Sequence, residues 1–94
     1  MAEYKFDGKY LKGRYNERIG EFDGKYIKDY NYNRVGGLEG ELIKDSHGKI
    51  IAEITGDNIT DVYHKRIGTM DEVHHIIDGP GGNSLAALWI LLIR

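Results

Sequence analysis

The chain repeats itself every sixteen residues, and this constrains its fold more than any other feature. The units are Phe6–Glu21 (FDGKYLKGRYNERIGE), Phe22–Gly37 (FDGKYIKDYNYNRVGG), Leu38–Glu53 (LEGELIKDSHGKIIAE) and Ile54–Thr69 (ITGDNITDVYHKRIGT), with no insertion between them. Five columns stay nearly constant. The first holds Phe6, Phe22, Leu38, Ile54 and Met70. The third holds Gly8, Gly24, Gly40 and Gly56, and the sixth Leu11, Ile27, Ile43 and Ile59. The fourteenth holds Ile19, Val35, Ile51 and Ile67, and the fifteenth Gly20, Gly36, Ala52 and Gly68. A period this short leaves room for one supersecondary unit per copy, stacked on its neighbours to bury a shared core.

Each copy reads as two short strands and two turns. Asp7-Gly8 and Asp23-Gly24 are tight-turn dipeptides, because glycine supplies the positive φ. Glu39-Gly40 and Thr55-Gly56 stand in the same place, so Gly8, Gly24, Gly40 and Gly56 are predicted structural turns. A second turn is expected near 14–17, 30–33, 46–49 and 62–65. Asn16, Asn31, Asn33 and Gly48 suit it, while the fourth copy is weaker. Turns every eight residues leave strands of four to six residues, the length usual in small all-β proteins. Ile19 and Phe22 are an odd number of residues apart, so a regular strand would point them to opposite faces. Either both faces are covered or a bulge resets the register. The glycines at 20, 36 and 68 favour a bulge, a bend or a close backbone crossing. The expected fold is therefore all-β. Four two-strand units form a closed, radial or stacked-hairpin arrangement, which leaves few open edges.

One domain is expected over residues 1–94. Residues 70–82 form a degenerate fifth unit that ends in a break at Asp78-Gly79-Pro80-Gly81-Gly82, and 83–94 are an apolar C-terminal segment. Asn83 or Ser84 is placed to cap a short helix on which Leu85, Leu88, Leu91 and Leu92 fall near one face. A final strand is the alternative. The nine apolar residues 85–93 are too few to span a bilayer, which takes roughly 20. No signal peptide is visible at Met1-Ala2-Glu3-Tyr4-Lys5-Phe6, so a cytoplasmic location is expected.

The repeated [FLI]-x-Gly-x-x-[IL] and [RI]-[IV]-[GA] segments, the glycine-bearing break and the apolar terminus carry a resemblance. Over Phe6 to Ile93 the chain resembles a small bacterial family, the four-fold β-flower proteins. That family is defined by its shape and has no assigned activity. The resemblance therefore implies a fold and carries over no functional residue.

Composition removes several function classes. With no cysteine there are no disulfides, thiolate metal sites or cysteine nucleophiles. A formal net charge of −2 removes the usual electrostatic argument for a nucleic-acid partner. His47, His64, His74 and His75, with Asp61, Asp71, Glu72 or Asp78, lack metal-site spacing, and no nucleophile pairs with them for acid–base chemistry. The carboxylates Asp7, Asp23, Glu39 and Asp71 recur, and those before turn glycines are explained by the turns. The Gly-rich run 78–84 lacks a phosphate-loop ending and reads as a breaker. No catalytic residue, cofactor or metal site is expected, and the chain is not read as an enzyme.

The remaining signal is aromatic and basic. Six of the seven tyrosines lie in the first 32 residues. Tyr10 and Tyr26, with the shared column Arg18, Arg34 and Arg66, are the candidate interaction face. The expected role is a structural or protein-interaction domain, with a homo-oligomer or another protein as partner. The competing reading is a ligand or polymer module that holds carbohydrate or single-stranded nucleic acid on the Tyr/Arg face.

Overall fold

A computed structural model describes residues 3–93. The chain is mostly β, arranged as one up-and-down meander. Its strands are β1 (Tyr4–Phe6), β2 (Tyr10–Lys12), β3 (Arg18–Phe22), β4 (Tyr26–Asp29), β5 (Arg34–Glu39), β6 (Leu42–Asp45), β7 (Ile50–Thr55), β8 (Asn58–Asp61) and β9 (Arg66–Thr69). Helix α1 (Met70–Ile76) then leads to β10 (Ile77–Asp78), which pairs parallel with β1. The strand order is β10-β1-β2-β3-β4-β5-β6-β7-β8-β9. The sheet is open: β10 and β9 are its two ends, and α1 carries the chain from one to the other. Helix α2 (Asn83–Leu88) and one wider π-helical turn, Trp89–Ile93, complete the fold. The C-terminal segment is thus helical rather than a strand.

Ten strands laid flat would extend about 43 Å at the usual interstrand spacing. The longest dimension of the molecule is 35 Å. The sheet must therefore curl, and its concave side receives the C-terminal helix. Leu11, Ile27, Ile43 and Ile59 are fully buried on that side, as are Leu85, Ala86, Ala87 and Leu88. Burying each large aliphatic side chain contributes about 1.5–3 kcal/mol.

A bulge resets the register, and it recurs in every second hairpin of the meander: β2–β3, β4–β5, β6–β7 and β8–β9. Leu11 pairs with Gly20 but Lys12 with Arg18, so Ile19 is the extra residue. The same slip leaves Val35, Ile51 and Ile67 unopposed, each sixteen residues further on. The parity conflict disappears, since Ile19 and Phe22 both pack against the core.

The glycine column is the seat of the C-terminal helix. Gly20, Gly36, Ala52 and Gly68 pair directly with Leu11, Ile27, Ile43 and Ile59, so they share the concave face. A Cβ on Gly20 would lie 2.5 Å from Leu92 Cδ1, one on Gly36 2.7 Å from Leu91 Cδ1, and one on Gly68 2.6 Å from Trp89 Cη2. These glycines are needed for close approach, with the tail's large side chains filling the space they leave.

The helix starts differ from expectation in detail. Gly82 is the N-cap of α2 and offers no side-chain cap. Asn83 instead donates from Nδ2 to the Gly40 carbonyl at 3.1 Å, tying the helix start to a sheet turn. The degenerate fifth unit begins as a helix: Thr69 caps α1, its Oγ1 accepting from the Glu72 N–H at 3.2 Å.

Candidate interaction surface

In a meander, successive turns alternate between the two ends of the strands, so the sheet has two rims. The first rim carries the turns at Gly8, Gly24, Gly40 and Gly56, with φ of 106°, 107°, 63° and 61°. These positive values are cheap for glycine and costly for other residues. The Asp7 and Asp23 carboxylates each accept two backbone N–H groups of their turn. The N–H groups of Tyr10 and Lys9 hold the Asp7 carboxyl below the usual carboxylate range, and those of Tyr26 and Lys25 do the same for Asp23. This rim is dominated by charged residues.

The second rim is aromatic. Its turns connect β2 to β3, β4 to β5, β6 to β7 and β8 to β9. Three of them are built alike around a carboxylate. Asp29 Oδ1 accepts from the N–H groups of Asn31 and Asn33, Asp45 from His47 and Lys49, and Asp61 from Tyr63 and Lys65, all at 2.8–3.0 Å. The N–H groups of Lys49 and His47 hold the Asp45 carboxyl below its ordinary range. The first turn has Gly13 in the aspartate's place, and Glu17 supplies the carboxylate from the far side, Oε1 accepting from the Tyr15 N–H at 3.2 Å. A Cβ on Gly13 would collide with that carboxylate, so the two exchanges are coupled.

One residue of each such turn is left-handed: Asn16, Tyr32, Gly48 and His64, with φ of 67°, 67°, 80° and 63°. Asn31 and Asn33 do not take this role in the second copy. Tyr32 does, although a bulky residue is strained there. Arg18 supports it, its guanidinium lying 4.1 Å from the Tyr32 ring centroid while Nη2 donates to the Tyr30 carbonyl at 2.9 Å. The result is a set of pinned turns with exposed rings at their tips. Tyr15 is 81% exposed and Tyr63 84%, with Tyr30 and Tyr32 between them along the sheet.

The five residues of the predicted face all lie on the convex side or its margin, but they do not form one ladder. Arg34 lies 4.6 Å from the Tyr26 ring centroid. Arg18 turns away from Tyr10 to Tyr32, and Lys9 takes the place over Tyr10, 5.2 Å from its centroid. Arg66 is exposed and makes no comparable contact among the described residues. Ile50 occupies the third position of the arginine column and interrupts it.

A groove of about 270 Å³ opens on the convex side where β4, β5 and β6 meet. Lys25, Tyr26, Arg34, Gly37, Lys44 and His47 line it. Gly37 pairs with Tyr26, and a Cβ there would lie 2.8 Å from the Lys25 carbonyl oxygen and 3.3 Å from Tyr26 Cδ1. The equivalent positions hold Glu21, Glu53 and Thr69. Glu39 bonds Lys44 Nζ at 2.5 Å, and this contact lowers the Glu39 carboxyl from its ordinary range.

The other candidates lie apart. His47 and His64 stand on the aromatic rim. His74 and His75 are exposed on α1, where His75 Nδ1 is 2.7 Å from the Asp71 carbonyl oxygen. Among the described residues, no three His, Asp or Glu side chains are grouped to hold a metal ion. In the Gly-rich break, a Cβ on Gly79 would strike the Phe6 backbone, so that glycine serves a close crossing. No helix among the described residues is long and apolar enough to cross a membrane.

Sequence reasoning missed the Asp29, Asp45 and Asp61 column and the singular Gly37. Both were visible in the sixteen-residue frame, the first as an eighth column with aspartate in three of four copies and the second as a departure in the sixteenth. Comparison with known proteins finds no matching family model, no matching curated protein and no matching solved structure.

Proposed function

We propose that the protein is a small protein-interaction domain that uses its aromatic rim, with a second copy of the chain as partner. The observation that carries this reading is the exposure of Tyr15 and Tyr63 on turns held rigid by carboxylate–backbone hydrogen bonds. A rigid aromatic side chain presents a large contact area at a low entropic cost, and tyrosine is enriched at interfaces. The same rim carries the cations Arg14, Lys49 and Lys65 beside the rings, so it offers both halves of a cation–π contact. Such a surface can pair with itself about a two-fold axis.

This reading takes the four units as radially equivalent, which the sixteen-residue recurrence of the bulge supports. It takes the protein as cytoplasmic, with the cysteine-free composition as support. Sedimentation velocity over a range of concentrations tests it. Wild-type chain should associate in a concentration-dependent way, and the double variant Tyr15→Ser/Tyr63→Ser should remain monomeric with its circular dichroism unchanged. A wild-type chain that stays monomeric at high micromolar concentration overturns the proposal.

A further inference from the structure

We propose that the groove between β4, β5 and β6 is a binding site for a small oxyanion ester, a phosphate or sulfate carried on a sugar-sized polar ring. The site is separate from the aromatic-rim interface and does not depend on it.

Three observations converge. The first is charge. Lys25, Arg34 and Lys44 line the groove together with the carboxylates Glu39 and Asp45. Glu39 is bonded to Lys44, and the Asp45 carboxylate is turned into its own loop by the N–H groups of His47 and Lys49. Neither Lys25 nor Arg34 has a carboxylate oxygen within 4 Å among the described residues. Glu39 still feels the charge of Lys25, so Arg34 is the cation left without a carboxylate partner, and a concave wall of low dielectric concentrates its field.

The second is positioning. Lys25 Nζ and the Arg34 guanidinium lie 5.4 Å and 4.6 Å from the centroid of the same Tyr26 ring. Both are held before any ligand arrives, which lowers the entropy cost of binding. Arginine's planar fork matches the paired oxygens of a phosphate or sulfate.

The third is the singularity of Gly37. Glycine within a strand weakens it and commonly marks a place where a ligand or another backbone comes close. At the equivalent positions Glu21 and Glu53 would fill such a groove and cancel its charge. Here alone the side chain is absent, which brings the Lys25 carbonyl close and leaves the groove without a further carboxylate. The volume falls just below the usual range for small-molecule sites, which suits one phosphorylated or sulfated sugar ring.

Titration of the full-length, isotopically labelled protein with glucose 6-phosphate, glucose 6-sulfate and glucose, followed by amide resonances, tests the assignment. Either ester should shift the signals of Tyr26, Gly37 and Gly48 saturably, and the tighter of the two names the anion. Glucose should leave these signals unmoved. Arg34→Gln should weaken binding by about tenfold or more, and Gly37→Glu should abolish it. Because Gly37→Glu crowds the Lys25 carbonyl, the exposed Arg34→Gln carries the test if that variant fails to fold. Three outcomes would each overturn the proposal: no saturable shift with either ester at about 10 mM, a shift that Arg34→Gln leaves unchanged, or an equal response around Lys12 and Arg18.

Discussion

Single residues carry two kinds of stress in this fold. His64 sits at φ 63° in a turn where the third copy has Gly48 and the first Asn16. The left-handed region crowds a Cβ against the carbonyl, and glycine has none. His64→Gly should raise stability by about 0.5–1 kcal/mol, read as a higher urea midpoint with an unchanged slope. A loss of stability would show that the imidazole contributes a contact that outweighs the strain. Asp7, Asp23, Glu39 and Asp45 show the opposite case, since the folded state favours their ionised forms. A carboxylate with a depressed folded pKa contributes stability that is present above its unfolded pKa and is lost as pH falls through the folded value. The unfolded values lie near 4. Stability from these four groups should therefore be flat above about pH 5 and fall steadily below about pH 4. Asp45→Asn should flatten the acid limb; an identical limb in the variant would remove Asp45 from the account.

At the scale of elements, the bulged hairpin and its glycine seat are the working unit. Gly36 faces Leu91 across the core and the Lys44 carbonyl along the sheet. The leucine can shift to another rotamer, but the backbone oxygen cannot. Gly36→Ala should therefore destabilise by about 1–3 kcal/mol, as overpacked cores do, and the loss should show in thermal unfolding. A neutral result would mean that the tail does not press on the sheet at this point. Much of this unit was legible in the chain. The columns Leu11/Ile27/Ile43/Ile59 and Gly20/Gly36/Ala52/Gly68 define the strand pairs, and the odd spacing of Ile19 and Phe22 demands a bulge or two covered faces. Two things were not legible. One is which of Asn31, Tyr32 and Asn33 turns left-handed, because the Asp29 carboxylate and Arg18 decide it, and Arg18 lies on another strand. The other is the cap of α2: Asn83 has the chemistry for it, but a turn carbonyl at Gly40 claims its side chain. Local propensity proposes in both cases, and a contact distant in sequence decides.

For the whole molecule, the central question is what fills the curl of a sheet built from such short strands. The sheet contributes Leu11, Ile27, Ile43 and Ile59 to the concave side, and its column of Gly20, Gly36 and Gly68 leaves space instead of filling it. The tail supplies the missing volume with Leu85, Leu88 and Trp89 buried, and with Leu91 and Leu92 packed against them. With no disulfide to restrain the unfolded chain, the tail must supply what holds the meander curled. A chain ending at Ser84 would open the concave face to water, exposing four large aliphatic side chains at about 1.5–3 kcal/mol each. That loss is comparable to the entire stability of a small domain, about 5–15 kcal/mol. The truncated chain should lose cooperative unfolding, bind a hydrophobic dye and aggregate. If it remains soluble and unfolds in one sharp transition, the sheet is stable without its core, and the apolar helix must be released from structural duty.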